Sequence, residues 1–343
     1  MKAAVWTGIN KIEVKEVPMP TLEKGEALVK VSCAGVCVTD YHVISGKLEI
    51  GQPPNIQGHE ICGKIVEING ESNLKIGQRC VIATSLGCGE CEACKSGKVY
   101  LCDKSSEIGY YPHNGGYAEY VKVPLSTIVP IPDTVSDYAG SILECVVCPT
   151  EALMNVGIPK DEGSSVLVLG AGPAALAFIQ LAKIMGAKKI IALVRREDTA
   201  IRVKEFGATD VINSKETPDV LSELLKINGG KKADMVIEST GSRDIAELSI
   251  ELVKKGGKVV LYGICDDSQP LRLNVKKIVV EELTIHGVVG NTKAWYPLVE
   301  LIDQGKLNLE KMVTHKFKLD DIDKAFDLYR NHDKNLIKAI IEF

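Results

Sequence analysis

The stretch SSVLVLGAGPAALAFIQLAKIMGA, Ser164 to Ala187, constrains the fold most. It reads as a strand, a glycine turn at Gly170 and Gly172, then a helix. The glycines fit G-x-G-x-x-[G/A], with Ala175 in the third place. The first permits a tight turn, and the second lets the backbone approach a pyrophosphate seated on the helix N-terminus. A glycine turn that only packs a helix is the competing reading, and the βαβ setting favours a dinucleotide. Further strands are expected at KKIIALV, DVIN, ADMVIEST, GKVVLYG and LTIHGVVG. Helices are expected at DTAIRVKEFG, Leu221 to Lys226 and Ile245 to Lys254. Strands alternating with helices build an α/β, doubly wound parallel sheet.

The second strand of that sheet bears on the cofactor. NAD-binding sheets end this strand with an acid that accepts from the ribose 2′-OH. Here it ends at Val194, followed by Arg195 and Arg196. Two guanidinium groups suit a 2′-phosphate, so NADP(H) is expected over NAD(H). The alternatives are that both arginines are solvated loop charges, or that Glu197 or Asp198 caps the next helix or reaches the ribose.

The first 130 residues have another character. ALVKVSCAGV and ICGKIVEI are β-rich, and GQPPNIQG and YYPHNGG are loops, an irregular β domain. A chain of 343 residues is long enough for two cores. Helical periodicity returns in the tail at WYPLVELIDQG and DIDKAFDLYR. The net charge is −4, with no basic block to form a nucleic-acid or anionic-membrane surface. The longest stretch without a polar side chain, Val166 to Ile179, is too short for a bilayer. With no signal-peptide pattern, a cytoplasmic protein is expected.

Eleven cysteines, an odd number, then point to metal ligands or buried thiols rather than a disulfide framework. Four of them lie in CGECEACKSGKVYLC: Cys88, Cys91, Cys94 and Cys102. Four thiolates on a short loop close a tetrahedral shell around a structural Zn²⁺. An iron–sulfur cluster uses the same ligand type. A second cluster, GVCVTDYH, places a cysteine, a threonine, an aspartate and a histidine within six residues, Cys37 to His42.

GVCVTDYH, GHE at 58–60, the four-cysteine lobe, GAGPAA and the closing GVVG occur in one order and spacing. On them the chain resembles the zinc-dependent medium-chain dehydrogenases/reductases, the zinc alcohol dehydrogenase superfamily, in its sorbitol and polyol branch. The resemblance implies a β-rich, GroES-like catalytic domain from residues 1–150 and 287–343. It implies a dinucleotide-binding Rossmann domain from 151–286. Cys37 and His59 match ligands of a catalytic zinc, and Glu60 matches the carboxylate beside it. Thr39 and His42 match the two ends of a proton relay. Asp40 matches the acid that orients the ligating histidine. The third ligand falls on Glu144, with Cys145 and Cys148 as rivals; Cys148 also suits a place near the nicotinamide. The four lobe cysteines match a structural zinc site.

Cofactor contacts fall on Gly170, Gly172, Pro173, Ala174, Ala175, Arg195 and Arg196. Others fall on Thr240, Gly263, Ile264, Val288 and Val289. The implied activity is hydride transfer between a secondary alcohol of a polyol or sugar and NADP(H). A secondary alcohol or threonine-type dehydrogenase using NAD(H) is the alternative. The implied partners are a small-molecule alcohol and further copies of the chain, a tetramer before a dimer. Substrate-pocket residues are expected in VISGKLEIGQPP and near Asn291 to Tyr296. Two readings of other classes compete: a cysteine lobe that binds nucleic acid, which Glu90 and Glu92 within it oppose, and a nucleotide-bound redox sensor.

Overall fold

The computed structural model describes residues 1–265, 270–290 and 292–343. The chain divides into two compact units, Met1–Val147 with Gly290–Phe343, and Cys148–Val289.

The first unit is built on the long strand Glu26–Val36. On one edge it pairs antiparallel with Glu60–Asn69. Two strands share its other edge. Tyr120–Pro124 pairs with the Glu26–Lys30 half, and Lys338–Glu342 with the Cys33–Val36 half. Arg79–Ile82 and Ile128–Pro130 extend the sheet on one side, and Val313–Lys318 on the other. A smaller sheet joins Lys2–Gly8 to Lys11–Glu16 and Asn55–Ile56. Between them lies an apolar core that includes Ile61, Ile65, Ile82, Ile108 and Tyr117, all essentially inaccessible to water. The tail forms the expected helices, Trp295–Asp303 and Ile322–Arg330. It also contributes two strands that sequence reading did not mark, Val313–Lys318 and Lys338–Glu342.

The second unit is a six-stranded parallel sheet. Its strand order is Asp210–Asn213, Lys189–Val194, Ser165–Leu169, Ala233–Glu238, Val253–Leu261, Thr284–Gly287. In chain order that is 3-2-1-4-5-6, the doubly wound arrangement whose strand ends bind dinucleotides. Ser165–Leu169 is central and buried along its whole length, which is why its sequence is continuous apolar rather than alternating. The helix expected at Ile245 to Lys254 is instead Arg243–Leu252. Val253 already pairs with Ala233 in the sheet. Gly256, at φ +68°, and Gly257 follow two lysines there, and such a run favours leaving the helix over extending it.

Candidate active site and metal centres

Cys37 stands where the strand Glu26–Val36 ends and the short helix Val38–Ile44 begins, in extended conformation at the N-cap. The turn puts Asp40 inside the protein, 0% exposed. Thr39 and His42 are half-buried and three residues apart, so they share a helix face. Burial, aided by the charge of Lys47, lowers the His42 pKa.

His59 immediately precedes the strand Glu60–Asn69. Gly58 before it has φ +97°, and a Cβ there would lie 2.7 Å from the Tyr117 ring. Only glycine meets both demands.

Ligating atoms of Cys37, His59 and Glu60 lie within 4.8 Å of one another. Glu144, at the start of the helix Glu144–Val156, brings Oε2 to 4.0 Å from His59 Nε2. Burial, opposed by His59 and reinforced by Glu60, pushes the Glu144 carboxyl up to about 7. Cys145 is close by, and desolvation pushes its thiol up to about 12. The Cys148 thiol donates instead to the Val289 carbonyl, 3.8 Å away.

Behind the ligands stands a carboxylate hub. His59 Nδ1–H donates to Asp40 Oδ1 at 3.2 Å. Tyr110 donates to the same oxygen at 3.3 Å, and Tyr117 donates to Oδ2 at 2.6 Å. Burial alone would raise the Asp40 pKa, but His59 first, then the Tyr117 hydroxyl and the Cys37 backbone, outweigh it, and the pKa is lowered. Asp40 thereby orients His59 so that Nε2, the other ring nitrogen, presents its lone pair. Glu60 Oε1 pairs with the ammonium of Lys338, and Glu60 Oε2 is buried without a hydrogen-bond partner.

The donor set fits Zn²⁺, since thiolate, imidazole and carboxylate are its ligands. The charge balance fits as well. Asp40, Glu60 and the Cys37 sulfur, with Glu144 raised to about 7 beside them, face the Lys338 ammonium, so a divalent cation offsets part of the negative charge gathered there.

Cys88, Cys91, Cys94 and Cys102 likewise bring their sulfurs within 4.8 Å. Backbone N–H groups of Cys91, Cys94 and Lys104 point at the sulfurs of Cys88, Cys91 and Cys102, each at 3.4 Å. Backbone donors at Glu90 and Cys91 bring the Cys88 thiol down to about 6. Against the Gly89 backbone, which lowers it, desolvation and the neighbouring sulfurs push the Cys94 thiol up to about 11, and the four together form a preformed sulfur nest with the donors of a closed zinc shell.

In the second unit, Gly170 turns at φ +121°, and Gly172 caps the helix Pro173–Ile184 with no atom within 4 Å of a would-be Cβ. Pro173 is the first helical residue, Ala174 follows it, and Ala175 is buried. Thr240 and Gly263 meet over a residue that sequence reading missed, Glu238, which is 0% exposed. Its Oε1 accepts from the Thr240 N–H at 2.6 Å and from the Gly241 N–H at 3.2 Å, and a Cβ on Gly263 would strike its Oε2. Ile264 and Val289 are exposed, and Val288 is half-buried.

Arg195 is exposed at the end of its strand. Arg196 is engaged with Asp198, Nε to Oδ1 at 2.9 Å and Nη2 to Oδ2 at 2.7 Å. Of the expected pocket segment, Asn291 lies outside the described residues, Trp295 is buried and Tyr296 is exposed. No helix among the described residues is long and apolar enough to cross a membrane.

Comparison with known proteins agrees with this picture. Residues 23–133 match the alcohol dehydrogenase GroES-like domain, and residues 173–304 match the zinc-binding dehydrogenase family. L-threonine 3-dehydrogenase of Pyrococcus horikoshii is 32% identical over 326 residues, 93% of this chain and 92% of the relative. L-galactonate-5-dehydrogenase of Escherichia coli K12 is 31% identical over 347 residues, 100% of this chain and 96% of the relative. A crystal structure described as a zinc-binding dehydrogenase of Sinorhizobium meliloti 1021 bound to NADP superposes with a TM-score of 0.93 at 29% identity, covering 100% and 99% of the two chains. The chain belongs to the zinc-binding dehydrogenase family, with a GroES-like domain and a Rossmann-type domain. It is a zinc-dependent oxidoreductase that uses NAD(P).

Proposed function

We propose that this chain moves a hydride between a secondary alcohol group of a polyol or sugar and NADP(H). The observation that carries the proposal is the Cys37–His59–Glu60 group, with Glu144 beside it and Asp40 behind it. Zinc, when bound, lowers the pKa of an alcohol O–H as a Lewis acid, and the nicotinamide accepts the hydride.

The protein's part is to hold and to move a proton. Cys37, His59 and Glu144 would hold the metal, with Glu60, whose ligating oxygen lies within 4.8 Å of the Cys37 and His59 donor atoms, as the adjoining carboxylate. The Thr39 hydroxyl would accept the alcohol's proton as it releases its own, and His42, whose pKa is lowered by burial and Lys47, would take up the relayed proton and pass it toward water. The four lobe cysteines would hold a second zinc, which would keep their loop folded. Gly170 and Gly172 give the pyrophosphate its approach, while Pro173, Ala174 and Ala175 open the helix on which it rests. Thr240, Gly263, Ile264, Val288 and Val289 border the nicotinamide half.

Arg195 carries the preference for the 2′-phosphate. Arg196 contributes less, because its fork is already matched to Asp198. That pairing favours a second reading, a threonine-type dehydrogenase using NAD(H), in line with the relative named for L-threonine. The family resemblance is also the support for a cytoplasmic homo-tetramer.

The test follows reduced-nicotinamide absorbance with NAD⁺ and NADP⁺ against polyols, sugars, L-threonine and simple secondary alcohols. Fast NADP⁺ reduction with a polyol is expected. Arg195→Asp should raise KM for NADP⁺ by about 10- to 100-fold, the worth of a charge-assisted bond. NAD⁺ turnover with L-threonine at wild-type efficiency in Arg195→Asp would establish the second reading instead.

A further inference from the structure

Glu238 is a buried carboxylate outside the metal centres and the proton path. It ends the strand Ala233–Glu238 and is 0% exposed. Its Oε1 collects three donors from the turn that follows: the N–H and the hydroxyl of Thr240 and the N–H of Gly241. Its backbone carbonyl accepts from the N–H groups of Tyr262, at 3.0 Å, and Gly263, at 3.2 Å, just beyond the neighbouring strand Val253–Leu261. One residue thus ties two strand-end turns, one by its side chain and the other by its main chain. The turns also touch each other. A Cβ on Gly241 would lie 2.6 Å from the Ile264 carbonyl oxygen. A Cβ on Gly263 would lie 2.1 Å from the Gly241 nitrogen and 2.6 Å from Glu238 Oε2, an oxygen with no hydrogen-bond partner among the described residues. Both turns stand beside the glycine turn of the first strand, since a Cβ on Gly170 would lie 3.1 Å from the Thr240 side chain.

An interior carboxylate is costly to desolvate, and an amide oxygen would accept the same three bonds without a charge. What the charge adds is strength, because bonds to an ionised acceptor are about twice as strong as neutral ones. The location gives that strength a use, since a dinucleotide lies across the carboxyl ends of a doubly wound sheet. We propose that Glu238 is a positioning residue for the nicotinamide half of the cofactor, locking the Thr240–Gly241 and Gly263–Ile264 turns into one rigid support before the cofactor binds. The inference rests on the reading that these residues border the nicotinamide half. Without the lock, binding must itself order both turns, and affinity falls. The adenosine half, whose expected contacts lie elsewhere along the sheet, loses nothing.

The experiment is isothermal titration calorimetry of the purified holoenzyme with two probes. One is whichever of NADPH and NADH the wild type binds more tightly. The other is the matching fragment without nicotinamide or its ribose, adenosine 2′,5′-bisphosphate or ADP. Glu238→Gln keeps the acceptor oxygen and removes the charge. In it the Kd of the whole cofactor should rise about tenfold or more, the worth of bonds to a charged group. The Kd of the fragment should stay within about twofold, as for independent sites. Glu238→Asp keeps the charge but withdraws the oxygen by one methylene, so it should show the same split. Equal weakening of both probes marks a general loosening of the sheet and overturns the proposal, as does an unchanged cofactor Kd in Glu238→Gln. Wild-type binding by Glu238→Asp beside weakened binding by Glu238→Gln makes charge rather than position the cause, and overturns it too. If Glu238→Gln does not fold, Glu238→Asp carries the test with the same two probes. A wild type that binds neither NADPH nor NADH sinks the dinucleotide reading itself, an outcome distinct from any failure of Glu238.

Discussion

Tyr117→Phe removes one hydroxyl of the hub behind His59, placed between Asp40 Oδ2 and, at 3.3 Å, the Gly35 carbonyl. Tyr117 is fully buried, and its ring packs edge-on against Phe326 with centroids 6.1 Å apart. Phenylalanine keeps that ring and removes only the hydroxyl, which donates to Asp40 Oδ2 at 2.6 Å. Because Asp40 is 0% exposed, bulk water does not replace the donor. Hydrogen bonds to charged groups contribute about 1.5–3 kcal/mol. Asp40 keeps Tyr110 and His59 as partners, so the lower part of that range applies, about 2 kcal/mol. For a domain of this size that lowers Tm by about 4–8 °C. Thermal unfolding followed by circular dichroism reads the shift. A urea titration with unchanged m shows that the native state lost the stability. Tyr110→Phe, with its longer 3.3 Å bond to Asp40, should cost less. A Tyr117→Phe protein melting within about 1 °C of wild type, well inside the 4–8 °C expected, would refute the reasoning. Asp40 would then draw its stabilisation from elsewhere.

Two more outcomes test other parts of the chain. Cys91→Ser should cost one zinc equivalent by metal analysis and make the loop around residues 88–102 readily cleaved by protease, because the sulfur cluster ties the loop together and its helix Glu92–Lys95 buries no residue. Burial alone would raise the Asp234 carboxyl, but bonds from Lys254 and from the Ser165 N–H, at 2.8 Å, outweigh it and hold the carboxyl below the ordinary aspartate range. A depressed folded-state pKa contributes stability that is present above the ordinary aspartate value and lost as pH falls through the depressed one. Asp234→Asn should therefore lower stability at neutral pH and flatten the acid limb of the stability curve measured by urea unfolding at stepped pH.

What was legible in the sequence was what is local. Gly170 and Gly172 announce their turn because a strand and a helix flank them directly. The lobe cysteines announce a metal because all four lie in one loop. Cys37 and Asp40 sit on one helical turn, so their joint role is readable at a glance. The partners that make the site work are distant in the chain. Tyr110 reaches His59 across 51 residues from what reads as a tyrosine-and-proline loop, and Lys338 reaches Glu60 across 278. The strand that delivers Lys338 was missed because KAIIE is short, and a lysine at its head reads as a solvated end. Yet the charges alone demanded such a residue. Asp40, Glu60 and Glu144 come together beside Cys37 in an interior where unpaired charge is costly. A single divalent metal also answers to its thiolate ligand, so it does not balance three carboxylates as well. A further cation had to come from some element packed against the Glu26–Val36 strand. Tyr120–Pro124 and Glu60–Asn69 carry their lysines, Lys122 and Lys64, away from the Cys37 end. That leaves the strand beside Val36, and its first residue is the lysine. The counter-charge of the site is thus set by the register of the chain's last strand, which no motif scan weighs.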